Sequence, residues 1–367
     1  MAFAFAFPGQ GSQSVGMLGA LGAASGAVRA TFEEASAVLH YDLWKLVSAG
    51  PAAQLDATER TQPAMLAAGV ATWRAWRERG GAAPAVVCGH SLGEFTALVC
   101  SGALEFGPAV ELVRFRGQVM QEAVPAGSGA MAAILGLDDA AVAAACQEAA
   151  SAGVVEPTNF NAPGQVVIAG ESAAVERAIE AAKAAGAKRA VALPVSVPSH
   201  TRLMRGAGER LRERLLTVAI RAPAVRYVSA VDAAAHVEPA DIQALLVRQL
   251  SSPVRWTATL RAVAEGVSQV IECGPGKVLT GLNRRIERRP GLEFLALEDP
   301  ASIDAALAAT TESGRSCERT CLRTCSRMKW PWLPAPRAAS GTRSRSPWAA
   351  PARGSLAQPP RPKARRN

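Results

Sequence analysis

The sequence predicts an α/β protein, and three observations carry that prediction. Over residues 1–310, short apolar runs alternate with longer amphipathic ones, the signature of buried strands and core-facing helices in one chain. One apolar run, Ala85–Gly89, leads through a serine flanked by small residues into a helical stretch. A block near residues 127–196 has its own rhythm of strand, helix, strand, strand, helix, strand, the order of a ferredoxin-like unit. The expected architecture is an α/β-hydrolase-like main domain with a parallel sheet, an inserted ferredoxin-like subdomain and a disordered C-terminal tail.

Phe3–Phe7 reads as a buried strand and Pro8–Gly11 as a turn. Val28–Leu39 and Pro63–Glu78 have helical periodicity, with Pro63 taken as a helix start. Ala85–Gly89 is a second buried strand, followed by a tight turn, a helix from about Leu92, and another over Pro108–Ala123. The inserted unit comprises strands Ala130–Leu135, Val154–Asn159, Gln165–Ala169 and Ala190–Val195, with helices Asp139–Ala152 and Ala173–Ala185. Strands Arg226–Val231 and Gln269–Cys273 then flank a helix over Ile242–Leu250. The predicted division is a main domain over 1–126 and 197–311, a subdomain over 127–196 and a tail over 312–367.

A chain of 367 residues can bury a large core. Met1–Phe7 is apolar but short, lacks a basic leading region and is broken by Gly9–Gln13, so it is not read as a signal peptide. No apolar run is long enough to span a membrane. Cys88, Cys100, Cys146 and Cys273 are scattered singly, which predicts reduced thiols and a cytoplasmic setting. The formal charge of +9 is unevenly spread, because residues 312–367 hold eleven Arg and two Lys against two Glu. The rest of the chain is left at −2, so nucleic acid is not an expected partner of the body. The tail, with eight prolines and no apolar stripe, cannot build a core. Cys317, Cys321 and Cys325 lack the histidine or second cysteine pair of a zinc site. The tail's composition reads as an out-of-frame stretch of a GC-rich gene; its rival is a basic arm that touches nucleic acid or anionic lipid.

Gly89-His90-Ser91-Leu92-Gly93 fits G-x-S-x-G in the strand-to-helix setting that the motif requires. A sharp turn there lifts the Ser91 hydroxyl out of the sheet, and the helix start supplies free N–H groups for an oxyanion. Serine needs a base, and the chain offers four histidines. His40 falls at a helix end and His236 in a polar loop. His90 adjoins the serine across a turn and points elsewhere. His200 ends the proline-bounded segment Leu193–His200; on residues alone it stands equally for a cap and for a base. No carboxylate is placed to complete a triad, and Glu94 and Asp232 are candidates by residue type only.

These segments together resemble the malonyl-CoA:acyl carrier protein transacylases of bacterial fatty-acid synthesis. The resemblance rests on Phe7–Gln13, Gly89–Glu94, Asn159–Gly170, Val197-Pro198-Ser199-His200 and Cys273–Leu279, and runs from about residue 3 to about 308. It implies ping-pong transfer: Ser91 takes malonyl from malonyl-CoA and passes it to the phosphopantetheine thiol of acyl carrier protein, with His200 as base and then acid. It implies that a main-chain carbonyl near Gln249 orients His200, that the N–H groups of Gln10 and Leu92 form the oxyanion hole, and that Gln62, Asn159 and Asn161 lie near the pocket. No metal or prosthetic group is implied, and a monomer is expected.

Arg116 falls on the apolar stripe Ala109, Leu112, Val113, Val119, Met120 and Ala123. A guanidinium there is costly unless it meets an anion or runs its head out to water. The resemblance assigns this position to the malonyl carboxylate, and a plain esterase would have no use for it. Ala230 stands where the family usually has Asn. Rival readings are a malonyl or methylmalonyl transacylase serving a polyketide synthase, an inactive homologue, and a nucleic-acid-binding protein driven by its tail.

Overall fold

The computed structural model describes residues 2–125, 127–195 and 197–310; the tail 312–367 and its three cysteines lie outside them. Among the described residues, ten strands form two sheets. The strands are β1 (Phe3–Phe7), β2 (Val86–Gly89), β3 (Gly129–Leu135), β4 (Val155–Ala162), β5 (Gln165–Glu171), β6 (Arg189–Ala192), β7 (Arg226–Val228), β8 (Ala235–His236), β9 (Gln269–Cys273) and β10 (Glu293–Leu297). The helices are α1 (Gly19–Ala24), α2 (Gly26–Leu39), α3 (Leu43–Ala49), α4 (Ala52–Leu55), α5 (Thr58–Glu78), α6 (Gly93–Cys100), α7 (Phe106–Glu122), α8 (Asp139–Ala149), α9 (Ser172–Ala184), α10 (Arg205–Leu215), α11 (Pro239–Gln249), α12 (Trp256–Ala264) and α13 (Val278–Ile286). A further helix covers residues 300–310.

The larger sheet has the order β10-β9-β1-β2-β7-β8. Its first five strands are parallel, but β8 pairs antiparallel with β7. The sheet is therefore mixed, not the parallel sheet expected. β8 has two residues and returns directly from β7, a connection too short for the crossover that a parallel partner needs. The central strand β1 is buried on both faces. Its odd residues Phe3, Phe5 and Phe7 join Trp76 and the α1–α7 side of the core. Its even residues Ala4 and Ala6 leave room for Trp256 and Leu260 of α12. Period-two alternation thus sorts bulky and small side chains to opposite faces.

The second sheet, order β4-β5-β3-β6, is antiparallel throughout. It lies within the block singled out by the sequence, with the chain order β3-α8-β4-β5-α9-β6. Val142, Ala145, Val175 and Ala178 of its two helices pack with Ala132, Ile134, Val166 and Ile168 of its strands. β4 also ties this sheet to the main part. Asn159 bridges to Val254, and the Phe160 N–H donates to the Val254 carbonyl at 2.9 Å.

Boundaries differ from expectation where one residue was given too much weight. Helix α5 begins five residues before Pro63, so the proline sits inside the helix and forgoes one backbone hydrogen bond rather than starting it. β6 ends at Ala192, three residues early, and β7 at Val228. Short or polar-rich elements such as α1, α3, α10, α12, α13 and β10 had no period strong enough to single them out.

Candidate active site

The site gathers at the carboxyl ends of β1 and β2. Ser91 follows β2 with φ 51°, a left-handed conformation that non-glycine residues seldom adopt. Close backbone packing demands the small neighbours. A Cβ on Gly89 would lie 1.9 Å from the Gly93 carbonyl carbon, and one on Gly93 2.1 Å from the Phe7 carbonyl oxygen. A Cβ on Gly9 would meet the His90 carbonyl oxygen at 2.4 Å. The turn is closed by the Gly93 N–H donating to the His90 carbonyl at 2.9 Å and the Glu94 N–H to the Ser91 carbonyl at 3.0 Å. Among the described residues, the main-chain N–H groups of Gln10 and Leu92 have no acceptor. Both belong to this turn region, with Leu92 heading α6, where free N–H groups favour negative charge.

His200, buried and also left-handed at φ 67°, comes to Ser91 from over a hundred residues away. Its Nε2 is 2.9 Å from Ser91 Oγ, and its Nδ1 is 2.8 Å from the Gln249 carbonyl oxygen. A carbonyl only accepts, so Nδ1 carries the proton and Nε2 presents its lone pair to the hydroxyl. Burial, followed by the Arg116 charge, pushes the imidazole pKa down to about 3. The neutral form is therefore the resting one.

Arg116 is 1% exposed. Its Nη1 donates to Gln62 Oε1 at 2.8 Å, and its Nη2 to Gln249 Oε1 at 2.9 Å and to Ser91 Oγ at 3.2 Å. Its Nε is buried with no partner. The guanidinium carbon sits 5.5 Å from the centre of the Phe95 ring. Burial lowers its pKa to about 10, which leaves it protonated at neutral pH. The water route considered for its head is excluded, and the hydrogen-bond acceptors around it are all neutral.

Ser91, His200, Arg116, Gln62 and Gln249 are thus joined in one hydrogen-bonded network; Leu92 follows Ser91 in the chain, and Gln10 follows Gly9, which packs on the His90 carbonyl. Asn161 stands one step back: its Oδ1 is 2.9 Å from Nε2 of half-buried His90, whose ring packs on Trp256. It fixes the elbow to β4 and does not touch Ser91 or Arg116. Asn159 Oδ1 accepts from the neighbouring Thr158 hydroxyl at 3.0 Å. The two carboxylates considered for a triad do not contact His200. Asp232 pairs with His236 and Arg248, and Glu94 lies fully buried beneath the elbow. Sequence reasoning missed the task of Glu94, which accepts from Tyr227 Oη, from Gln249 Nε2 at 2.9 Å and from the Ala230 N–H at 3.2 Å. It also missed the Gln249 side chain. The one available signal was a charged residue inside a run that packs as core, Gly93 to Leu98. Ala230 meets Glu94 through its backbone, so the departure from Asn leaves this contact in place.

Among the described residues, no group of three or more His, Cys, Asp or Glu could hold a metal ion. No described helix is long and apolar enough to cross a membrane. An open groove of about 850 Å³ along α8 and α9, lined by Glu148, Glu176 and Arg177, holds none of the site residues.

A serine hydroxyl held by a neutral imidazole, main-chain N–H groups without acceptors and a buried cation beside the hydroxyl are the groups that covalent chemistry on an acyl group requires. Residues 4–288 match the acyl transferase domain family. The chain is 55% identical over 306 residues to the malonyl CoA-acyl carrier protein transacylase of Salmonella typhimurium, covering 83% of this chain and 98% of that one. It is similar to the crystal structure of an acyl carrier protein S-malonyltransferase from Vibrio cholerae, at TM-score 0.80 and 55% identity over 83% of this chain and all of that one. It is also similar to a malonyl-transacylase solved with its type II polyketide acyl-carrier protein, at TM-score 0.82 and 52% identity over 84% and 100%.

Proposed function

From a chain that belongs to the acyl transferase domain family, we propose a malonyl-CoA:acyl carrier protein transacylase that works through a Ser91 ester and supplies fatty-acid synthesis. The observation that carries the reading is Arg116. A buried guanidinium 3.2 Å from the nucleophile, with Nε unpartnered, suits an acyl group that ends in a carboxylate.

Ser91 Oγ attacks the thioester carbonyl of malonyl-CoA while His200 Nε2 takes its proton. The Gln249 carbonyl accepts from Nδ1–H and steadies the imidazolium that forms. The Gln10 and Leu92 N–H groups receive the oxyanion. As the tetrahedral intermediate collapses, the carbon–sulfur bond breaks and the imidazolium returns its proton to the departing CoA sulfur. The phosphopantetheine thiol then gives its proton to His200 and attacks the Ser91 ester, which releases malonyl-carrier protein and restores the hydroxyl. The protein's own side chains supply every proton transfer in this scheme, so no cofactor has a step in it.

The division into a main part over 1–126 and 197–311 and an inserted unit over 127–196 belongs to the same reading, with the acyl chain entering between them. A cytoplasmic enzyme fits the four free thiols among the described residues, and a monomer fits a site drawn from one chain. No residue of the site favours polyketide supply.

Intact mass spectrometry after mixing with malonyl-CoA, and then with carrier protein, tests this directly. A malonyl adduct is expected on the wild-type chain, to be discharged by the carrier thiol and absent from Ser91→Ala. An undiminished adduct on that variant refutes the nucleophile.

A further inference from the structure

Glu94 is a fully buried carboxylate to which transacylation gives no task. Burial pushes its pKa up, while hydrogen bonds from Tyr227, Gln249 and the Ala230 N–H oppose that. Its Oε1 accepts from both the Gln249 amide and the Ala230 N–H, so that oxygen has no proton to offer, and this one-sidedness propagates. One hydrogen of Gln249 Nε2 goes to Glu94 Oε1 at 2.9 Å and the other to the Ser91 carbonyl at 3.0 Å. With both amide hydrogens committed, Gln249 Oε1 must face Arg116 Nη2, at 2.9 Å. A half-turn of the amide would set its NH2 against the guanidinium and its oxygen against two acceptors. Glu94 also attracts Arg116 through space and supports its charged form.

We propose that Glu94 is a positioning residue for acyl-group selection: through the Gln249 amide it aims the Arg116 guanidinium beside Ser91 and so sets the preference for acyl groups with a free carboxylate. This deepens the malonyl-transfer reading and rests on it. The competing account is mechanical, with Glu94 merely fastening α6 to β7 through Tyr227 Oη. The two differ in what they do to selectivity. Glu94→Gln keeps the volume but brings an NH2 into the cluster, so the Gln249 amide loses its fixed direction. Tyr227→Phe removes only the donor on the far oxygen of Glu94.

Acylation rates of Ser91 by malonyl-CoA and by acetyl-CoA, read by intact mass, decide between them. For E94Q the malonyl-to-acetyl ratio is expected to fall roughly tenfold or more, the size of one lost hydrogen bond to a charged group. Y227F should lower the urea midpoint and hold the ratio. An unchanged ratio in folded E94Q overturns the proposal, as does a Y227F ratio that falls as far. Should E94Q fail to fold, Gln249→Met is expected to lose the same selectivity, and an unchanged ratio there overturns it too. Where both variants fold, the double variant should lose no more than Q249M alone; additive losses would mean that Glu94 does not act through Gln249. A wild-type chain that forms no malonyl adduct defeats the functional reading and this inference with it. A wild-type adduct with selectivity unmoved by E94Q defeats the Glu94 assignment alone.

Discussion

Arg116 enters the core with a full positive charge and meets only neutral acceptors, from Gln62, Gln249 and Ser91. Glu94 supports this charge only through space, and no hydrogen-bonded anion meets it until a substrate carboxylate arrives. Arg116→Ala is therefore expected to slow malonyl transfer on the order of a hundredfold while acetyl transfer falls less; an unchanged malonyl-to-acetyl ratio would reject its role. His200 carries a pH signature. Its pKa is about 3 in the native chain against about 6.5 unfolded. Between those values the unfolded chain takes up a proton that the native chain does not, so stability falls as pH drops from about 6.5 toward 3. His90, also shifted down by desolvation, adds in the same direction. Urea titrations at about pH 7 and pH 5 should show a smaller drop for His200→Gln than for wild type. Equal drops would contradict a neutral buried imidazole.

At the scale of elements, glycines report which turns are set by contact and which are merely permissive. Gly89 has no room for a Cβ, and Gly89→Ala should cost about 2 kcal/mol or more by forcing β2 and α6 apart. Gly281 lies exposed in α13 with open space around it. Gly281→Ala should stabilise by roughly 0.5–1 kcal/mol through helix propensity. Urea midpoints moving in the same direction for both would contradict the contact argument. Element identity was legible wherever a period ran long. The stripe on α7 named Leu112, Val113, Val119 and Met120 as core, and all are buried. The same helix hid why Gly117 is small: a Cβ there would sit 2.7 Å from the Glu59 backbone of α5, and no pattern within one helix reveals its neighbour.

For the whole molecule, the site residues span positions 10 to 249, and residues 312–367 contribute none of them. Deleting that segment should leave malonyl adduct formation at its wild-type rate and abolish any salt-sensitive retention on DNA, because the remaining chain has a formal charge of −2. Loss of malonylation on deletion would give the segment a part in the reaction. The two sheets are stitched at β4 by the Asn159–Val254 bridge and by Asn161 on His90. That seam brings β4 to the elbow, and the sequence marked its Asn residues without saying what they hold.

Residue order alone determined the α/β class, the strand-to-helix turn at Ser91 and the place of Arg116 on an apolar stripe, because each follows from local sterics or from periodicity within one element. Only tertiary structure decided that His200 reaches Ser91, that Glu94 is buried under the turn and that Gln249 links Arg116, Ser91 and Glu94 through its side chain. Those pairings join positions up to 158 residues apart, and hydrogen-bond partners across such separations are chosen by packing, which no local pattern encodes.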